Sequence, residues 1–268
     1  IRDRLNTAQS QLDTNGHTVI ASGVILGSDG LTKTGDGTLI LTYNNDYDGG
    51  TTISKGTLQI GNGGTSGTIE GDVTNNGILA FNRSDAYAFD DKISGTGSVE
   101  QIGTDTLTLT GANDYTGGTS VKSGTLAVAS NGVLGDQSGK LTLDGGIFEN
   151  TAAFSTQSRA IEIGNGGGTF QTDADLTLEG ALTGTGTWTK TGTGDLIFGG
   201  DESAFVGTGT VQTGTVRVDG TLGGDLAVQT GATLRGTGTI DGNTTIDSGA
   251  TLVGLDNNTL TTVSYTHL

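Results

Sequence analysis

Two histidines, His17 and His267, stand near opposite ends of the 268-residue chain. A serine nucleophile needs an imidazole within hydrogen-bond reach and a carboxylate to orient it, so their placement argues against a Ser-His-Asp triad. Acids and bases crowd together in one stretch, where Arg83, Asp85, Asp90, Asp91 and Lys92 fall within ten residues. Paired carboxylates beside a cation are what carbohydrate cleavage requires; a solvated loop accounts for the same residues. GNGGTSG at 61–67 and GNGGGT at 164–169 have the glycine density of phosphate-cradling loops. Neither leads into a helix or into Lys-Ser/Thr, so the anion site of a P-loop is not built and both read as corners. They also lack the spaced aspartate of the calcium-binding nonapeptide repeat. Thr106, Thr108 and Thr110 have the spacing of an ice-binding face, and equally that of solvent-facing β-branched residues on a strand. There is no cysteine, which excludes disulfides and thiol chemistry. No catalytic, cofactor-binding or metal-binding residue is assigned, and no cofactor is expected.

The elements that would position any such residues are written in an unusual composition. The chain has 50 glycines, no proline, 5% aromatic residues and a formal charge of -17. A field of that sign repels nucleic acid and anionic lipid. The aspartates fill turns beside glycine and keep the surface soluble, with calcium binding as the alternative. No apolar run approaches the roughly 18 residues of a membrane helix, and no signal peptide is visible. Methionine is absent, so the sequence reads as a fragment or processed product of a longer parent.

Internal repetition decides the architecture. LTKTGDGTLILTYNNDYDGGTTISKGTLQI at 31–60 returns as VEQIGTDTLTLTGANDYTGGTSVKSGTLAV at 99–128, and again as WTKTGTGDLIFGGDESAFVGTGTVQTGTVRV from Trp188. Gly35, Gly103 and Gly192 align, as do Leu39, Leu107 and Leu196; Tyr47 and Tyr115 are joined by Phe205 after a one-residue insertion. Within the repeats apolar residues alternate with threonine over three to five positions, as in Leu107 and Leu109 or Leu126 and Val128, and Gly, Asn or Asp closes each run. That is the period of half-buried strands with sharp corners. Helical patterns do not separate them. Short strands without crossover helices leave a sandwich, a barrel or a coil of parallel strands; one tryptophan and few other aromatics suit the narrow core of the coil. The total lack of proline agrees, because nearly every strand is then a central one. A coil of roughly 20 residues stacked at ~4.8 Å gives a rod on the order of 60 Å long. Residues 1–16 are expected as a short helix or a disordered end, 17–254 as the stacked coils, and 255–268 as a divergent tail. That tail has no glycine and no partner elsewhere in the chain.

The repeats resemble the passenger-associated repeat of bacterial autotransporters, the type V secreted proteins, and GATLRGTGTI and TIDSGATLVG resemble the end of such a passenger. The likeness extends over about residues 17–254. It implies an all-β, right-handed parallel β-helix, exported across the outer membrane of a Gram-negative bacterium and displayed at the cell surface or released. The protease members carry a Gly-Asp-Ser-Gly motif in a separate domain, and that motif is absent here. Where the family commonly has Pro-Gly at the passenger end, this chain has Val253-Gly254, and attachment to a membrane would come only through a C-terminal barrel of the parent. The function expected is that of a non-enzymatic stalk or adhesin, monomeric, contacting proteins or glycans on host, matrix or sister cells, with no nucleic acid. The alternative is a carbohydrate-active β-helix enzyme, a polysaccharide lyase or hydrolase.

Overall fold

The computed structural model describes residues 10–254 and 260–267. The fold is all-β, a parallel β-helix, and its strands divide between two units: Ile1–Leu126 with Gly132–Gly139, and Ala127–Asn131 with Lys140–Leu268. In the first unit one parallel sheet runs Ser10–Asp13, Leu31–Thr34, Thr51–Ile53, Val73–Asn75, Ile93–Ser94. A second runs Thr18–Ala21, Thr38–Leu41, Thr57–Gly64, Ile78–Arg83, Ser98–Gln101, Thr119–Val121. Partners lie one coil apart, Val99 beside Thr119 and Tyr87 beside Leu107, so a coil takes about 20 residues, as stacked-repeat geometry requires. In the second unit, Leu176, Leu196, Val216, Leu234 and Leu252 follow one another in register up a third sheet.

The alternation seen in the sequence sets the core. Leu39, Leu58, Leu79 and Val99 stack in one column and are all buried. Leu107, Leu109, Leu126 and Val128 are buried as their spacing predicts.

Each repeat turns out to be one corner drawn twice. In the first, Leu31–Thr34 and Thr38–Leu41 flank a bend, and Thr51–Ile53 and Thr57–Gly64 flank the same bend one coil later, with Leu31 on Thr51 and Leu39 on Leu58. Gly56, at φ +66°, fits where a Cβ would stand 2.4 Å from the carbonyl oxygen of Gly37; Gly124, at φ +56°, repeats this against Asp105. Positive φ and backbone contact together leave glycine as the only residue that fits.

A bend leaves carbonyls unpaired, and burying them without a donor is costly. The third residue of each repeat supplies the donor. Lys33 Nζ donates to the carbonyls of Thr34, Gly35 and Lys55 at 2.7–2.9 Å. Gln101 Nε2 donates to those of Gly103 and Asp105. Lys190 Nζ reaches Thr191, Gly192 and Thr213. All three side chains are buried. Burial pushes the Lys190 ammonium down to about 8, while the charges of Asp195 and Asp173 pull the other way; the carbonyls satisfy its three N–H donors.

A second polar position, fifteenth in the repeat, ties three coils together. Asn45 Oδ1 accepts from Ile25 N, and its Nδ2 donates to the carbonyls of Tyr43 and Thr68. Asn113 does the same between Ile93 N and Val133 O, at 2.7 and 2.6 Å.

At the N-terminal end, where a short helix or disordered end is expected over 1–16, residues 1–9 lie outside the described residues. Ser10–Asp13 form a strand paired with Leu31–Thr34. The ladder explains it: Ser10 N donates to Gly30 O, a bond a helix would leave unmade. At the other end, residues 255–259 and 268 lie outside the described residues, and Thr261–His267 is a strand paired in parallel with Thr239–Ile246. This part of the tail joins the ladder through backbone hydrogen bonds, which need no repeat of the side-chain pattern.

Candidate functional site

The acidic and basic residues between 83 and 92 lie on the first unit, and its coils pull them apart. Arg83 ends the strand Ile78–Arg83 and is only 8% exposed. Its Nε and Nη2 grip both carboxylate oxygens of Asp85 at 3.0 and 2.8 Å. Nη1 and Nη2 also donate to the carbonyls of Gly67 and Thr65, and the guanidinium lies 4.8 Å over the Tyr87 ring. Arg83 is thereby committed to pinning the glycine-rich segment 61–67. Read as a corner, that segment instead continues the strand Thr57–Gly64 through a bulge, with Gly64 opposite Arg83. It offers carbonyls to a cation, the reverse of what a phosphate loop presents. The 164–169 stretch is a turn, with Gly167 at φ +73°, that leads into the strand Gly168–Thr172.

Asp90 and Asp91 face a different space, an open groove of about 430 Å³ whose lining includes Ile69, Glu70, Tyr87 and Phe89. Asp91 Oδ2 accepts from Gly71 N at 2.8 Å. Lys92 turns elsewhere, its Nζ 2.6 Å from Asp114 Oδ2. No basic residue lines the groove. The Tyr87 hydroxyl is hydrogen-bonded to the Ile69 backbone, and burial pushes it up to about 12 although Arg83 pulls the other way. It is a neutral phenol, not a base, across the physiological range. Among the described residues no group of three His, Asp or Glu is placed to hold a metal ion.

The remaining candidates have structural surroundings. His17 is exposed, and its backbone carbonyl accepts from Thr38 N. His267 stacks on Tyr265 with ring centroids 6.4 Å apart. Thr108 is paired with Ala88, so a threonine ladder does not propagate to the preceding coil. The groove itself was not legible in the sequence, because Glu70 and Asp90 are 20 residues apart and meet only through the coil repeat.

Comparison with known proteins fits this geometry. The passenger-associated-transport repeat matches at residues 31–60, 99–128 and 189–218, the stretches that draw the doubled corners. Over 177 residues, 65% of this chain, the sequence is 39% identical to the adhesin BmaC autotransporter of Brucella suis biovar 1 (strain 1330). The matched stretch is 5% of that protein, so the chain corresponds to a small part of its length. No solved structure matches the chain. The three repeats, the parallel β-helix and this relative place the chain with autotransporter passengers. Such passengers cross the outer membrane to the cell surface.

Proposed function

We propose that this chain works without chemistry of its own, as a stretch of passenger that holds an extended repetitive surface against proteins or glycans of host, matrix or sister cells, and that it does so as a monomer without nucleic acid. The observation that carries the reading is the disposition of charge around the groove: Glu70, Asp90 and Asp91 line it, while Arg83 and Lys92 are each engaged away from it. A polysaccharide lyase needs a cation over the sugar acid facing the same substrate as its base, and no basic residue lines this groove; carboxylates alone are the set a hydrolase uses, and the substrate assay below separates that reading from the adhesive one. The adhesin name of the relative supports the same reading.

The purified chain, incubated with pectin, hyaluronan and peptide libraries, is expected to release no product, whereas beads coated with it should bind cells or matrix. Asp90→Asn and Asp91→Asn should leave bead binding within about twofold. Product formation abolished by either change, with the circular dichroism spectrum unaltered, would establish the enzymatic alternative instead.

A further inference from the structure

In the third repeat the position that holds Asn45 and Asn113 in the first two is occupied by Glu202. The asparagines are buried and join the coil before to the coil after. Glu202 is fully buried too, but its bonding differs. Oε1 accepts from Gly200 N at 3.1 Å, within its own coil, and Oε2 is buried with no hydrogen-bond partner. An ionised carboxylate has no hydrogen to donate, so it cannot do what the asparagine amide does for the coil after.

The surroundings offer no countercharge. Glu202 lies on the strand Asp201–Glu202, paired with Thr221–Leu222, and Leu182–Gly184 also packs against it; neither neighbour carries a titratable residue. On its own strand Asp201 is exposed and negative. Glu179, whose backbone lies against Gly200, is exposed and negative as well. Arg159, whose backbone lies against Gly180, directs its Nε to Asn131 Oδ1 at 2.7 Å. A buried charge without a partner is among the most costly things a core can hold.

We propose that Glu202 is a proton-operated latch in the second unit: as the neutral acid it leaves the coil over residues 199–223 closed, and on ionising it loosens that coil. Burial pushes its carboxyl up to about 7 from an ordinary 4.5, with the Gly200 amide and its own amide opposing the rise and Asp201 adding to it. Because the folded value lies above the unfolded one, the folded form holds the extra proton between them. The stabilisation is complete below the ordinary value and is lost as pH rises through about 7. A stretch of passenger thus opens more readily in alkaline than in acidic surroundings.

The test compares the full chain with Glu202→Gln, a neutral side chain of the same shape, by hydrogen exchange of peptides spanning 199–223 at pH 5 to 8.5, corrected for intrinsic rates and referenced to peptides spanning 99–121. In the native chain the opening equilibrium of 199–223 should rise on the order of 100-fold across that range, and in Glu202→Gln it should stay within about threefold. Glu202→Asn, which restores the residue found at this position in the other two repeats, serves if the glutamine variant folds poorly and should be equally flat. Parallel pH profiles for the native chain and either variant would overturn the proposal.

Discussion

Leu109→Asp is expected to lower stability by about 4 kcal/mol, enough to consume a large part of what a typical domain possesses. Leu109 is 1% exposed and sits in register with buried Phe89. An aspartate there puts a carboxylate among hydrocarbon with no cation to meet it, and removes a packed side chain as well. Thr108→Asp, one residue away on the opposite face of the same strand, should cost less than about 1 kcal/mol, since Thr108 is only half-buried. Guanidinium chloride denaturation of the two variants, read against the native chain, measures the difference. Equal losses would contradict a single buried face, and a larger loss for Thr108→Asp would mean that the faces of the strand Thr106–Leu109 are assigned the wrong way round.

The second large effect comes from a covarying cluster in the third repeat. In the first two, Tyr47 and Tyr115 each share a hydrogen bond of 2.6 Å with a threonine four residues on, Thr51 and Thr119. Those threonines pair with Leu31 and Val99. In the third, Phe205 replaces the tyrosine, Gly209 the threonine, and Trp188 the aliphatic residue. Trp188 is paired with Gly168 on one side and Gly209 on the other. Its ring fills the place of a side chain at 209: a Cβ there would come within 2.1 Å of the indole. Phe198 and Phe170 pack on the same ring, with centroids 5.4 and 6.4 Å away.

Gly209→Thr should therefore cost several kcal/mol through overpacking, and Trp188→Leu about 3 kcal/mol through the cavity it leaves. The two together should cost much less than their sum, because leucine vacates the volume that threonine needs. Adding Phe205→Tyr restores the hydroxyl pair of the other repeats and should recover more. A coupling energy of about 2 kcal/mol or greater in the double-mutant cycle is the expected result; additive losses would show that the three positions do not act as a unit.

These clusters mark what a sequence of this kind reveals. The alternation of Leu107 and Leu109, or Leu126 and Val128, names the inward face because period two has only one other phase. The recurring Gly56, Gly124 and Gly214 mark the corners. Less legible is that Lys33, Gln101 and Lys190 point inward. A lysine beside threonine looks like a solvated residue, and the carbonyls that receive Lys33 belong partly to Lys55, 22 residues away. Separation in sequence hides Arg83 as well, whose partners at Thr65 and Gly67 lie 18 and 16 residues earlier. For 261–267 the pairing is made by backbone and by the hydroxyl of Thr262 against Thr244 and Gly242, so the apolar pattern carries little trace of it.

The functional reading was legible through the repeats and through what the chain lacks, no cysteine and two distant histidines, more than through any site. The groove by Asp90 and Asp91 needed coordinates. So did the separation of Arg83 and Lys92 from it, which the crowding of those residues in sequence conceals.

Recurring residues occupy recurring places because adjacent coils stack in one fixed parallel register. The chain has no cysteine, which makes introduced pairs unambiguous. Thr52 and Thr74 are register partners in neighbouring coils of the first unit; adjacent strands lie about 4.8 Å apart, within the span a disulfide bridges. Under mild oxidation Thr52→Cys with Thr74→Cys should close to an intramolecular disulfide in nearly all molecules. Thr52→Cys with Asn76→Cys, two residues out of register, should remain largely reduced. Equal closure of both pairs, or preference for the second, would contradict the stacked register and with it the account of the repeats.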